Sequence, residues 1–309
     1  MKKHFKLFIF LLFIVQIPSI AHAQKKHKLT LKLTPNTSYI IKQQISQHIE
    51  QEFQGQRQNI RQNNSITYQY EIKEIDEEGF YKIVVVYQKI HYKQGKSVYD
   101  SEDTTAKETT LSRALGAMIG SKITMQVNKQ GKVRDLTGAD ELIEKMLNAR
   151  AIADKATRER LHKTFKKAFG KVALRESMEQ FFNIYPDKKV ATGDHWSKKV
   201  EKTAAFPSKV DITWTLDKVE KNTGLINIKA IVRPTPNIIV DLGIVKAKYD
   251  LNGTQEGSMD IDMQTGWTKR YYIKQVMVGT MYMTTNNSSQ EIAVDTKITT
   301  ISKYTTLQN

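Results

Sequence analysis

Two stretches of this chain read as strand, charged turn and returning strand, and they commit it to an antiparallel sheet. Ile66–Ile72 alternates apolar and polar residues, Asp76–Gly79 turns the chain, and Phe80–Tyr87 returns. A period of two puts alternate side chains on opposite faces of a strand. The glycine closing so short a connection takes backbone angles that other residues adopt only at a cost. Trp214–Val232 repeats the pattern around Gly224. Antiparallel neighbours join through such tight turns, whereas parallel ones need a long crossover.

Other segments match between the same two flanks. Thr34–Tyr39 parallels Thr192–Trp196, each a turn followed by an aromatic that starts a strand, and Met125–Gly131 parallels Met259–Gly266. Ile41, Ile45 and Ile49 recur every four residues between Tyr39 and Phe53. That spacing fits a helix face or alternate positions on one strand face; the neighbouring strands favour a long strand. Leu29, Leu31 and Leu33 alternate with Thr30 and Lys32 as a further strand, and Ile123–Leu136 reads as a hairpin about Asn128–Gly131.

Between the flanks the period changes. Leu142, Ile143, Met146 and Leu147 form a helical stripe behind Gly138, with Asp140 as N-cap or first-turn acid. Leu161, Phe165 and Phe169 continue the spacing to Gly170, and Val172–Tyr185 forms a third helix closed by Pro186. The expected fold is α+β and predominantly antiparallel β, with two similar curved β-halves flanking a helical insert. One continuous curved sheet or half-barrel covered by helices is the alternative. The expected segments are residues 1–23, a signal peptide; 24–137, the N-terminal β-rich half; 138–186, the helical insert; and 187–309, the C-terminal β-rich half.

The leader is read from Lys2, Lys3 and Lys6, an apolar run from Leu7 to Ile20, and small residues Ala21 and Ala23 before the cut. The run is too short to span a bilayer and contains Pro18. Cleavage after Ala23 leaves 286 residues, and loss of the three lysines takes the formal charge from +16 to about +13. The 309 residues contain no cysteine. That excludes disulfides, thiol nucleophiles, thiolate metal sites and the acylated cysteine of a lipoprotein. The chain is therefore expected to be exported, periplasmic or secreted, and not a lipoprotein.

Export turns the positive charge toward lipid, an anionic membrane surface or envelope polymers, and away from nucleic acid. The charge concentrates between Lys155 and Arg175, where Glu159 is the single acid. On a helix, Leu161, Phe165 and Phe169 would face inward while Arg160, Lys163, Lys166 and Lys167 spread over the outer side as candidate contacts with an anionic surface.

A family resemblance rests on turn-and-strand motifs: Val98–Ser101, Gln126–Val133 followed by Leu136–Gly138, Gly193–Trp196, Leu251–Gly253 through Gly257, and Asp262–Gly266. Together they resemble an uncharacterised family of exported bacterial proteins, described as a domain of unknown function, across nearly all of the mature chain. The Pro35–Tyr39 turn departs from that pattern by lacking a glycine. The resemblance implies a fold and supplies no site.

No motif for catalysis, cofactor or metal is present. His27, His48, His91, His162 and His195 lack the spacing that puts two ligands on one helix face. There is no Gly-x-Ser-x-Gly elbow and no phosphate-binding glycine loop. Asp260 and Asp262 would share a strand face, either solvated or meeting a cation. The leading expectation is a non-catalytic exported cell-envelope binding protein, with a lipid or other amphiphile between sheet and helices and no cofactor. An interaction or structural protein using its basic helix and sheet edges is the alternative. A hydrolase with an unfamiliar site comes third, and its sign would be His195 or His91 in a cleft with two carboxylates.

Overall fold

The computed structural model describes residues 25–105, 109–150, 154–204, 206–241, 245–285 and 290–307; the leader lies outside the described residues. The first elements are β1 (Thr37–Phe53), β2 (Gln56–Ile75), β3 (Tyr81–Gln94) and the short β4 (Ser97–Asp100). Helix α1 (Thr110–Gly116) precedes the hairpin of β5 (Lys122–Val127) and β6 (Val133–Thr137). Three helices follow: α2 (Ala139–Ala149), α3 (Lys155–Phe169) and α4 (Lys171–Phe182). The remainder is β7 (His195–Lys202), β8 (Ser208–Glu220), β9 (Thr223–Pro234) and β10 (Ile239–Asp241), then β11 (Val245–Asp262), β12 (Thr268–Thr285) and β13 (Ile292–Leu307).

These strands form one open antiparallel sheet in the order β6-β5-β3-β2-β1-β13-β12-β11-β9-β8-β7, with β4 on β3 and β10 on β11. The fold class is thus the expected α+β with predominant antiparallel sheet. Of the two expected arrangements it is the continuous one, because β1 pairs with β13 from Ile40 to Glu52. The likeness between the flanks is a likeness of strand order: β6-β5-β3-β2-β1 and β12-β11-β9-β8-β7 run in the same sense, and β13 joins them.

The sheet is strongly curled at one end. The N–H of Leu31 donates to Lys129 O in the β5–β6 turn (2.9 Å), and the next N–H, of Lys32, donates to Thr265 O in the β11–β12 turn (2.8 Å). In a flat sheet β5 and β12 would lie about 24 Å apart, at about 4.8 Å per strand. Adjacent residues of one chain bridge the two turns only if the sheet bends round on itself. Residues 25–34, expected as a strand through Leu29–Leu33, form this bridge instead. The three leucines are buried, yet apart from the His27–Val190 bridge no ladder forms, because the N–H groups of Leu31 and Lys32 are spent on the turns.

Two glycines let the backbone close this end. Gly131 has φ +82°, and a Cβ there would lie 1.7 Å from Phe182 O, so the end of α4 rests directly on the β5–β6 turn. Gly266, φ +75°, meets Thr30 O in the same way at 2.2 Å. Above them the core is aromatic. Trp267, 2% exposed, stacks on Tyr39 and takes Tyr70, Phe181 and Phe182 edge-on. Helices α2 and α4 therefore fill the inside of the curl, each with one buried stripe.

Local departures from expectation have local causes. The N-cap of α2 is Gly138 in a left-handed conformation, and Asp140 sits in the first turn. Helix α4 stops at Phe182, before the expected Tyr185, since the residue ahead of Pro186 is driven out of the helical region. The β8–β9 turn lies at Lys221 and Asn222, and Gly224 is already inside β9, where a Cβ would press Met263 Sδ at 2.7 Å.

Candidate functional site

The edge strand β7 decides what the inside of the curl looks like. Along it, exposed His195, Ser197, Lys199 and Glu201 alternate with half-buried Trp196, Lys198, Val200 and Lys202. The second set faces α4. Between that helix and the sheet runs a cleft with an apolar floor of Val200, Val210, Ile212, Trp214 and Ile228. Glu176, Glu179, Gln180 and Asn183 line its helical wall, Glu201 and Lys202 its β7 side, and Gln255 and Tyr271 its far side. The cavity volume is only about 50 Å³, so the cleft is a narrow slot.

Polar groups meet on the slot from both walls, and Lys198 stands beside it at the end of α4. Lys202 Nζ donates to Gln180 Oε1 (3.3 Å), and Gln180 Nε2 donates to the Tyr271 hydroxyl (3.1 Å). Lys198 Nζ donates to Asn183 Oδ1 (2.6 Å) and Asn183 O (3.4 Å). Burial pushes both lysines below the usual ammonium range, against the opposing pull of Glu176 on Lys202 and of Asp187 and Glu179 on Lys198. Deeper in, Gln43 donates to the Tyr304 hydroxyl (2.7 Å) and accepts from Tyr68 (2.9 Å). Burial pushes Tyr304 up to about 12, with the Gln43 bond working the other way.

Register extends the pattern across the inner face. Residues directly opposite each other on paired strands share a face. One row runs Gln62, Gln47, Thr300, Gln275, Gln255, Ala230, Ile212 and Lys198. Within it Gln47 donates to Thr300 Oγ1 (3.2 Å) and Gln255 to Gln275 Oε1 (2.5 Å). The next row, farther from the closed end, is apolar: Ile60, Ile49, Ile298, Met277, Gly253, Val232, Val210 and Val200. The slot thus continues into a polar belt beside an apolar band. At its upper edge Glu176 Oε1 accepts from Thr203 N (2.6 Å), Thr203 Oγ1 (3.1 Å) and Ala204 N (3.2 Å), tying the β7–β8 connection to α4.

None of these groups was singled out as a site in the sequence. The candidate surface residues lie elsewhere, on α3. Arg160, Lys163 and Lys166 are exposed and Lys167 is half-buried. Arg160 donates to Thr157 Oγ1 (2.9 Å), and Lys163 pairs with Asp241 of β10 at 3.3 Å. Leu161, Phe165 and Phe169 point inward but are only half-buried.

The residues read for chemistry are dispersed. His195 is exposed, while Asp194 accepts from Ala191 N and the Trp196 indole donates to Ile184 O. His91 Nδ1 lies 3.2 Å from Asp100 Oδ2 on the outer face, with Ser65 directly opposite it in register. That row holds the residue types of a nucleophilic triad, but no Ser65–His91 hydrogen bond forms among the described residues. Glu102, in the same shallow groove, is held by Lys89. Asp260 and Asp262 each meet their own cation, Arg270 and Lys269. Among the described residues no three histidine or carboxylate side chains are grouped to hold a metal ion.

A family profile described as a family of unknown function (DUF6263) matches residues 78–268. Comparison with curated proteins gives no match. Among solved structures, one described for lipid–protein interactions in lipovitellin shares 7% identity over 90% of this chain and 26% of that chain, at a TM-score of 0.49. This chain therefore spans about a quarter of lipovitellin's length. DynF, from the dynemicin biosynthesis pathway of Micromonospora chersina, shares 9% identity over 96% of this chain and 92% of its own, at 0.23. OccK2 (OpdF) of Pseudomonas aeruginosa, in complex with glucuronate, shares 7% over 93% and 100%, at 0.19. Likenesses this loose carry no inference about a ligand.

Proposed function

The chain belongs to DUF6263, a family of unknown function, and from its own geometry we propose an exported, non-catalytic binding protein of the cell envelope that holds the apolar part of an amphiphile between α4 and the sheet. The slot carries this reading. Its floor of Val200, Val210, Ile212, Trp214 and Ile228 is continuous, and polar groups from α4 and from the strands surround that floor. Small-molecule sites combine an apolar lining with a few placed polar groups in this way. Each methylene a ligand buries contributes about 0.8 kcal/mol, which supplies the work of widening so narrow a space. The segment to yield is the β7–β8 connection, which hydrogen bonds to Glu176 hold against α4. The leader read in the sequence supports export.

Calorimetric titration with monododecanoylglycerol, a neutral single-chain amphiphile, tests the reading. The intact protein is expected to bind one equivalent saturably, and Ile212→Trp, which fills the slot, to abolish the heat. No saturable binding by the intact protein would overturn the proposal.

A second reading has its own observation. Three exposed cations on α3, above an apolar stripe that stays half-open, suit a helix resting on an anionic bilayer. Replacing Arg160, Lys163 and Lys166 with Glu is expected to release the protein from phosphatidylglycerol vesicles in co-sedimentation. Unchanged sedimentation would remove α3 from the account.

A further inference from the structure

One tip of the sheet turns apolar side chains out to solvent. Strand β10 is three residues long and pairs with β11 alone. Its middle residue, Val240, is buried and anchors it. The period of two then puts Ile239 and Asp241 on the outer face. Ile239 is 65% exposed, the most of any large apolar side chain among the described residues, and Ile238 is 40% exposed. Scattered apolar residues on a surface need no explanation, but these two are held out together by a braced turn. Pro234 closes β9 opposite Ser208, Thr235 N donates to Pro207 O (3.0 Å), and Asn237 takes φ +61°. Pro234 and Pro236 fix φ on either side of Thr235. The bond to Pro207 also seats the tip against the β7–β8 connection, beside the slot.

Cations surround the isoleucines. Ile239 lies opposite Lys248, and Lys248 opposite Tyr282, in one row of the outer face. The Lys248 ammonium lies over the Tyr282 ring, 4.4 Å from its centre, and pairs with Glu291 at 3.3 Å. Asp241, two residues along the same face as Ile239, pairs with Lys163 at 3.3 Å, which brings α3 to this tip. That helix carries six cations against Glu159, and none of its side chains is fully buried. Glu144 and Asp241 pair with Arg158 and Lys163; Lys155, Arg160, Lys166 and Lys167 set the charge of the surface. Exposed isoleucines with lysine and tyrosine at their rim, next to a cationic helix, match the boundary of an anionic bilayer. There the apolar side chain enters the acyl region while ammonium and phenol stay at head-group level.

Extending the reading in which α3 rests on an anionic bilayer, we infer that the tip at residues 234–241 docks the protein on that bilayer. Ile238 and Ile239 enter the acyl boundary, and α3 lies on the head groups. Because the turn is already fixed, little order is lost when the isoleucines are covered.

The chain has no cysteine, so a single introduced one carries a reporter alone. Ile239→Cys, labelled with the polarity-sensitive fluorophore NBD, is mixed with phosphatidylglycerol vesicles. Val98→Cys, at an exposed apolar site on β4 in the other flank, is the control. Emission at position 239 is expected to rise and to be quenched by lipid spin-labelled on its acyl chain, while emission at position 98 stays constant. Replacing Ile238 and Ile239 together with Ser is expected to weaken co-sedimentation at least tenfold, as two isoleucines left in water imply. Vesicle-bound protein whose probe at position 239 keeps its emission overturns the inference and leaves the α3 reading standing. Intact protein that never sediments with the vesicles overturns both. A dimer in vesicle-free buffer that the double serine variant turns into monomer would assign the tip to a second copy of the chain, and so overturn the inference.

Discussion

The rings of Tyr39 and Trp267 lie 3.9 Å apart and 15° from parallel, one at the start of β1 and the other just before β12. This stack spans the strand that joins the two flanks, and α4 closes over it through Phe181 and Phe182. Truncation at its centre removes a large buried side chain whose neighbours cannot collapse together. Trp267→Ala is expected to cost about 3–5 kcal/mol in denaturant unfolding. A loss below about 1 kcal/mol would show that the stack is not what holds the closed end.

The seating of α4 on the β5–β6 turn makes a sharper contrast available. Gly131→Ala combines a positive φ with a Cβ 1.7 Å from Phe182 O, whereas Gly55→Ala has a similar φ and open space around it. The first is expected to cost about 3 kcal/mol or more and the second about 1 kcal/mol. Equal costs in parallel thermal melts would mean that backbone strain alone, and not contact with the helix, fixes Gly131.

Buried tyrosines set the alkaline limit of stability. Burial raises Tyr68, Tyr70, Tyr87, Tyr185, Tyr271 and Tyr304 above their ordinary value of 10.0, Tyr304 to about 12. A folded-state value above the unfolded one means that the unfolded chain ionises first. Their stabilisation is complete below pH 10 and is lost as the pH climbs through the folded-state values. Unfolding is expected to coincide with the part of the tyrosinate absorbance that these six contribute, and Tyr304→Phe to lose less stability between pH 10.0 and about 12. Ionisation of all thirteen tyrosines near pH 10 in a chain that stays folded would contradict the burial of these six hydroxyls.

The grip of Glu176 on Thr203 and Ala204 is a latch at the edge of the slot. Glu176→Ala removes one acceptor from three donors and is expected to cost about 1–2 kcal/mol locally. Amide exchange at Thr203 and Ala204 should rise, and monododecanoylglycerol should both bind and leave faster. Unchanged exchange would show that the connection is held by other contacts, such as Phe206 on Tyr249.

How much of this was legible in the chain differs by element. The hairpins of β2 with β3, and of β5 with β6, follow from their alternation and turns. Strand β1 follows as well, its isoleucines lying four apart on one face. Leu29, Leu31 and Leu33 announced burial but not the absence of a strand, because what their backbone binds, Lys129 and Thr265, is remote in sequence. The slot was hidden for a related reason. Lys198 and Lys202 read as solvated residues of a basic chain until register and α4 assign them the inner face. The row of Gln62, Gln47, Thr300, Gln275 and Gln255 comes from five strands and exists only through pairing. The basic face of α3 was visible from its period, but not the pairing of Lys163 with Asp241.

Native mass spectrometry of the purified protein tests the central claim most directly. The account predicts a chain carrying one non-covalent amphiphile, replaced one for one by added monododecanoylglycerol, and an Ile212→Trp variant that carries neither. A chain that stays bare as purified and in excess monododecanoylglycerol, while folded, would contradict it.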